Sequence, residues 1–261
     1  LSEAQKLAYR LPERDQATVK GLIYRLSGEQ DKLEKFLRMQ VRVQGDATSH
    51  RNLARFLMFT GQLEEAKEQF KQLMAVDSSD IRSNLQLANL ERSTGDIDAA
   101  IEYARVYQEA RPEDPVGHIV IGDLLLESGD MEGARAHYEE AALLDDPPTG
   151  PVLRLALLSI RQGEWVRTRE LLDEARGLSV SPGEKAAVLR VESFLEFRLG
   201  RIQRAMALTE EQVPLLRETA SPVEQVYSYT APMVDYLLML GRFEAARELL
   251  SEGMQAIPPP I

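Results

Sequence analysis

The chain has 261 residues, 44% of them hydrophobic and 28% charged, with a formal net charge of −11. That balance is too apolar for a disordered chain and too acidic overall for non-specific binding to nucleic acid or an anionic membrane. No apolar run reaches the roughly 18 residues needed to span a bilayer, and the absence of cysteine removes disulfides and thiolate metal sites.

The N-terminal stretch LSEAQKLAYRLPERD contains no signal-peptide core. Because the chain begins at Leu1 rather than methionine, it is expected to be a mature or excised segment, separated from any signal or anchor. Its composition suits a soluble protein of the cytoplasm or the periplasm. Residues 1–13 read as a helical lead-in. A ladder of glycines then begins, with Gly28, Gly61, Gly95, Gly129 and Gly163 at a nearly constant step and Gly200 and Gly241 at progressively wider ones. Each rung separates two stretches with helical apolar spacing, as in RFLMFTGQLEEAKEQF, NLERSTGDIDAAIEYA, DLLLESGDMEGARAHY and DYLLMLGRFEAARELL. Self-similarity at this period predicts stacked helical hairpins, with glycine ending the first helix of each in the left-handed conformation.

Positions counted from the glycine carry the packing pattern. Seven residues before it stand Gly21, Ala54, Ala88, Gly122, Ala156, Ser193 and Val234; five residues after it stand Leu33, Ala66, Ala100, Ala134, Thr168, Ala205 and Ala246. Small side chains at facing positions let two helix axes approach closely. Two residues after the glycine, Leu63, Ile97, Met131, Trp165, Ile202 and Phe243 are large and apolar and are expected to plug the hairpin end. Residues 14–178 thus form five regular units, and 179–261 two longer ones with a tail. The longer units both open with S-P-x-E, at Ser181 to Glu184 and Ser221 to Glu224, which predicts an N-cap serine, a proline in the first turn and a capping-box glutamate. Pro214 and Pro232 fall inside apolar helical patterns and predict kinks.

The set Leu87, Ala88, Gly95, Ile97, Ala100 and Pro112, and the set Ile121, Gly122, Gly129, Ala134, Tyr138 and Ala141, resemble the tetratricopeptide repeat, a helix-turn-helix unit of about 34 residues. The resemblance covers about residues 14–258 and implies an all-α, right-handed superhelical solenoid of about seven antiparallel helix pairs. Lys20, Leu33, Glu192 and Thr209 depart from the family's apolar or small preferences. The longer last units also resemble repeat segments of large bacterial regulators, which join such repeats to a signalling or DNA-binding domain. The final helical stretch RFEAARELLSEGMQAI has no polar helix after it, so the natural chain is expected to continue or this end to pack against a partner or another copy.

No phosphate loop, HExxH, GxSxG or dinucleotide fingerprint occurs, and no catalytic constellation, cofactor or metal is expected. His50 and His118 recur two units apart and are read as structural; His137 is read as a surface residue. In tetratricopeptide proteins the first helix of each pair lines a concave groove, and the resemblance places Arg51, Asn52 and Arg55, then Arg82, Gln86 and Asn89, on that face. Arg154 recurs in phase with Asn52 and Gln86, Arg190 in phase with Arg51, and Arg161 and Arg198 each lie two residues before their glycines. Guanidinium groups take carboxylates bidentately and asparagine can hold an extended backbone. The set is similar in kind to the family's carboxylate clamp, although no lysine occupies these places and the fourth unit has Asp123 and Glu127 there.

The function read from this is a non-enzymatic protein-interaction scaffold that binds an acidic protein or peptide segment in the groove. The alternative is a ligand-binding or self-associating sensor segment of a larger bacterial regulator, with self-association through the C-terminal end. The acidic balance disfavours nucleic acid as the partner.

Overall fold

A computed structural model describes residues 13–256, whose secondary structure is entirely helical, with no strand among them. The helices fall into two compact units, 13–110 and 111–256. The first holds α1 (Glu13–Leu26), α2 (Gln30–Val43), α3 (Ala47–Phe59), α4 (Leu63–Val76), α5 (Arg82–Thr94) and α6 (Ile97–Ala110). The second holds α7 (Pro115–Ser128), α8 (Met131–Leu144), α9 (Thr149–Gln162), α10 (Trp165–Leu178), α11 (Pro182–Arg198), α12 (Ile202–Glu211), α13 (Val213–Thr219), α14 (Pro222–Gln225), α15 (Ala231–Met239) and α16 (Phe243–Ala256). The change to longer helix pairs near residue 179 falls inside the second unit.

One backbone device makes every hairpin. All seven ladder glycines adopt φ between +69° and +93°, and no other residue type among the described ones has positive φ. In each case the N–H of the residue after the glycine donates to the carbonyl five residues earlier, for example Asp96 to Glu91, Asp130 to Leu125 and Arg201 to Glu196, all at 2.9 Å. This bond closes the end of the first helix and satisfies a carbonyl that would otherwise be orphaned.

Packing follows the two small-residue registers. Ala54, Ala88 and Ala156 on the first helices are 0–1% exposed, and Ala66, Ala100, Ala134, Thr168 and Ala205 on the second helices are at 0%. Around them Leu53, Leu57, Phe70, Leu73 and Leu87 build the core of the first unit, and Ile160, Leu158, Leu171, Val191 and Leu195 that of the second. The large residues two after the glycine stand just beyond the turn. They open the second helix of each hairpin; Leu63, Ile97, Trp165 and Ile202 are half-buried, while Met131 and Phe243 are exposed. At the hairpin end only one side of such a residue meets the preceding helix, so burial depends on the next layer. On α16 the residues Phe243, Leu250 and Met254 are exposed together on one face.

The last repeats carry the irregularities. α12 stops at Glu211 and α13 restarts at Val213, because Pro214 has no N–H to continue the ladder. Ahead of Pro232 the backbone loosens into a π-helical turn over Val226–Thr230, where the Ala231 N–H reaches the Val226 carbonyl. Both S-P-x-E starts form their caps: the Glu184 N–H donates to Ser181 Oγ while the Ser181 N–H donates to Glu184 at 2.8 Å, and Ser221 with Glu224 repeats the exchange.

Candidate functional site

In the first unit, the polar residues expected on the binding face stand on α3 and α5. Arg82, Gln86 and Asn89 are spaced i, i+4, i+7 and are all exposed; Asn52 and Arg55, at i, i+3 on α3, are half-buried and exposed. Apart from the ion pair of Arg51 Nη2 with Asp80 at 2.7 Å, these side chains make no hydrogen bond or ion pair among the described residues. The α3 helix contains no acid, and Glu91 on α5 is turned to α4, where it accepts from Lys67 Nζ at 2.7 Å. Two exposed cations, Arg55 and Arg82, and three amides therefore share consecutive first helices, with no carboxylate paired to either cation among the described residues.

The remaining arginines belong to the second unit, and three of them line one cavity of about 440 Å³. Arg154 of α9 grips Asp123 of α7 with two bonds, Nε to Oδ1 at 3.0 Å and Nη2 to Oδ2 at 3.3 Å. The Tyr138 hydroxyl donates to the same Oδ1 at 2.8 Å, and burial, the Asp123 charge and this bond together push the phenol far above its usual pKa. Arg161 and Arg190 reach the cavity without an acidic partner among the described residues. Arg190 has its pKa pushed down by the surrounding protein and by the positive charge of Arg154. Arg198 is not in the lining; its guanidinium lies 6.0 Å from the Phe194 ring centre.

The far wall is made of residues that sequence reasoning did not assemble. Ser193, at the small position of α11, donates to the Ala205 carbonyl at 2.8 Å and meets the hydroxyls of Thr209 at 2.8 Å and Tyr236 at 2.9 Å. Thr209 departs from the repeat pattern because it completes this buried network. Gln212, between α12 and α13, is 1% exposed, and its Oε1 has no hydrogen-bond partner. Phe194, Phe197 and Val191 supply apolar wall, and Ser228 and Pro232 come from the π turn and its end.

The histidines need one correction. His137 is half-buried, not a surface residue, and its Nδ1 lies 3.1 Å from Nδ1 of His118 across the α7–α8 hairpin. The equivalent place in the α3–α4 hairpin holds His50 Nδ1 and Gln69 Oε1, 2.9 Å apart at the same separation along the chain. The recurrence marks a cross-hairpin polar contact of the repeat. Among the described residues no group of three or more His, Asp or Glu is placed to hold a metal ion, and no helix is long and apolar enough to cross a membrane.

Hairpins closed by left-handed glycine, with paired small-residue registers, define a helical-repeat protein. Models of the tetratricopeptide repeat match residues 33–115 and 117–147. These residues are tetratricopeptide repeats, and proteins built on such repeats are in general non-enzymatic scaffolds for protein–protein interaction. No curated protein matches it in sequence. Among solved structures it is similar to a tetratricopeptide repeat protein from Parabacteroides merdae, with 15% identity, 97% of this chain and 99% of that one covered, and a TM-score of 0.62. A thermophilic repeat protein of Thermus thermophilus gives 17% identity, 72% and 99% coverage and a TM-score of 0.55. Yeast Tom70 gives 16% identity and a TM-score of 0.59 over 86% of this chain, which spans 46% of Tom70. At these identities the likeness is one of fold.

Proposed function

We propose that this protein is a scaffold whose first unit holds an extended, acidic segment of a partner protein along the groove face of α3 and α5. The carrying observation is the row Arg55, Arg82, Gln86 and Asn89, exposed and without a hydrogen-bond or ion-pair partner among the described residues, in a chain of net charge −11. Surface arginines in an acidic protein normally sit beside carboxylates, as Arg38 does with Glu34 and Glu65. Here the guanidinium groups are left for an external carboxylate, and the amides for an extended peptide backbone. The supporting helices are built on a packed core, so the ordering cost of binding falls on the partner segment.

The test is the double variant Arg55→Glu with Asn89→Ala in a capture experiment from the native source. Loss of the captured partner with an unchanged circular dichroism spectrum is the expected result. Full retention of the partner would place the contact elsewhere.

A further inference from the structure

The cavity of the second unit is a different kind of place from the open face of α3 and α5. It exists because the repeat drifts: the wider steps to Gly200 and Gly241 bring in the break at Gln212 and the π turn at Val226–Thr230, and both border it. Departures of this kind from regular helix are frequent at functional sites. The volume of about 440 Å³ lies within the range of small-molecule sites, roughly 300–1,000 Å³, and far exceeds what an inorganic anion fills.

Its charges are not balanced from within. Asp123 is committed to Arg154 and Tyr138, which leaves Arg161 and Arg190 with no acidic partner among the described residues and Asp235 as the remaining carboxylate of the lining. Three arginines against Asp123 and Asp235 give the lining a formal charge of +1, which complements one negative charge and not the two of a phosphate monoester. The apolar part of the wall is Val191, Phe194, Phe197, Leu126 and Leu157, which an apolar body matches.

We propose that this cavity binds a small organic carboxylate. Arg161 and Arg190 take the carboxylate, and Phe194 and Phe197 enclose the apolar body. The site is separate from the partner-binding face of the first unit and does not rest on it.

The test is calorimetric titration of the whole chain with benzoate, 4-phenylbutanoate, decanoate and N-benzoylphenylalanine, each beside its neutral carboxamide, and with phenyl phosphate. At least one acid is expected to bind saturably at one site, its amide at least about tenfold more weakly, the worth of one charged hydrogen bond. The Arg161→Ala/Arg190→Ala variant is expected to lose at least about the same factor while keeping its melting temperature, since neither arginine holds a hydrogen-bond or ion-pair partner among the described residues. Arg169→Ala, at an exposed residue of α10 outside the lining, serves as the control and leaves acid binding unchanged. The proposal is overturned by any of four results: no saturable binding of any acid up to about millimolar concentration, equal affinity for acid and amide, undiminished affinity in the double arginine variant, or tighter binding of phenyl phosphate.

Discussion

Replacing Gly122 with alanine tests whether the small-residue register governs how closely the helices pack. A Cβ at this position would lie 2.5 Å from Tyr138 Cε1, 2.8 Å from Cδ1 and 3.2 Å from Cζ. The ring cannot simply step aside: it is 1% exposed, and its hydroxyl is tied to Asp123 at 2.8 Å. Overpacking of a tight core costs about 1–3 kcal/mol, and loosening the phenol bond adds about 1 kcal/mol. Alanine returns about 1 kcal/mol of helix propensity over glycine. The net expectation is a loss of about 1–3 kcal/mol, each kcal/mol lowering the melting temperature by about 2–4 °C in a chain of this size. Gly177, near the end of α10, has nothing within 4 Å of its notional Cβ, and Gly177→Ala is expected to be neutral or stabilising. Urea unfolding followed by circular dichroism compares the two at a common m-value. If steric conflict with the ring is the cause, the cost of Gly122→Ala shrinks by at least about 1 kcal/mol in a Tyr138→Leu background. A Gly122→Ala protein as stable as the parent would refute the reasoning.

At the small position of α11, alanine is the usual residue of the repeats, and Ser193→Ala would look like a return to the pattern. The structure predicts the reverse, a loss of about 1–3 kcal/mol by urea unfolding, because the buried hydroxyls of Thr209 and Tyr236 both lose a partner. The capping glutamates give a pH prediction. Backbone and side-chain hydrogen bonds from Ser181 hold Glu184 below the usual carboxylate range, and those from Ser221 do the same for Glu224. A depressed folded-state pKa means that the stabilisation is present above the unfolded value near 4.3 and is lost as pH falls through the folded one. Thermal unfolding as a function of pH should therefore show a shallower acid limb in Glu184→Gln/Glu224→Gln, whose amides accept hydrogen bonds but do not titrate; an unchanged limb would assign it to other carboxylates.

The hairpins and their packing registers were legible in the sequence because their causes are local. Glycine is the residue for which the left-handed region carries no steric penalty, and a bond to the carbonyl five residues back closes the turn wherever it occurs. Alanine at facing places on the two helices, as with Ala54 and Ala66 or Ala88 and Ala100, marks the crossing within a single hairpin. Pro214 and Pro232 were legible for the same reason, since a missing N–H disturbs its own helix. Ser193 and Thr209 carried a weaker signal: polar residues at core positions announce a partner but do not say which one.

The partners themselves were decided by tertiary structure. Arg154 reads as a free groove cation until Asp123, on the first helix of the preceding pair, is seen to hold it, and His137 reads as exposed until His118 faces it across the hairpin. The cavity depends on side chains from α7, α8, α9, α11, α12 and α15 meeting at one point. Which residues meet there depends on how successive pairs stack and where two helices break, and no periodicity along the chain encodes that convergence. The sequence by itself determined a repeating unit, its turn residue and its buried faces, since each rests on interactions within one hairpin. Which arginines are spent internally and which remain for a ligand is a matter of contacts between hairpins, and only the folded chain brings those together.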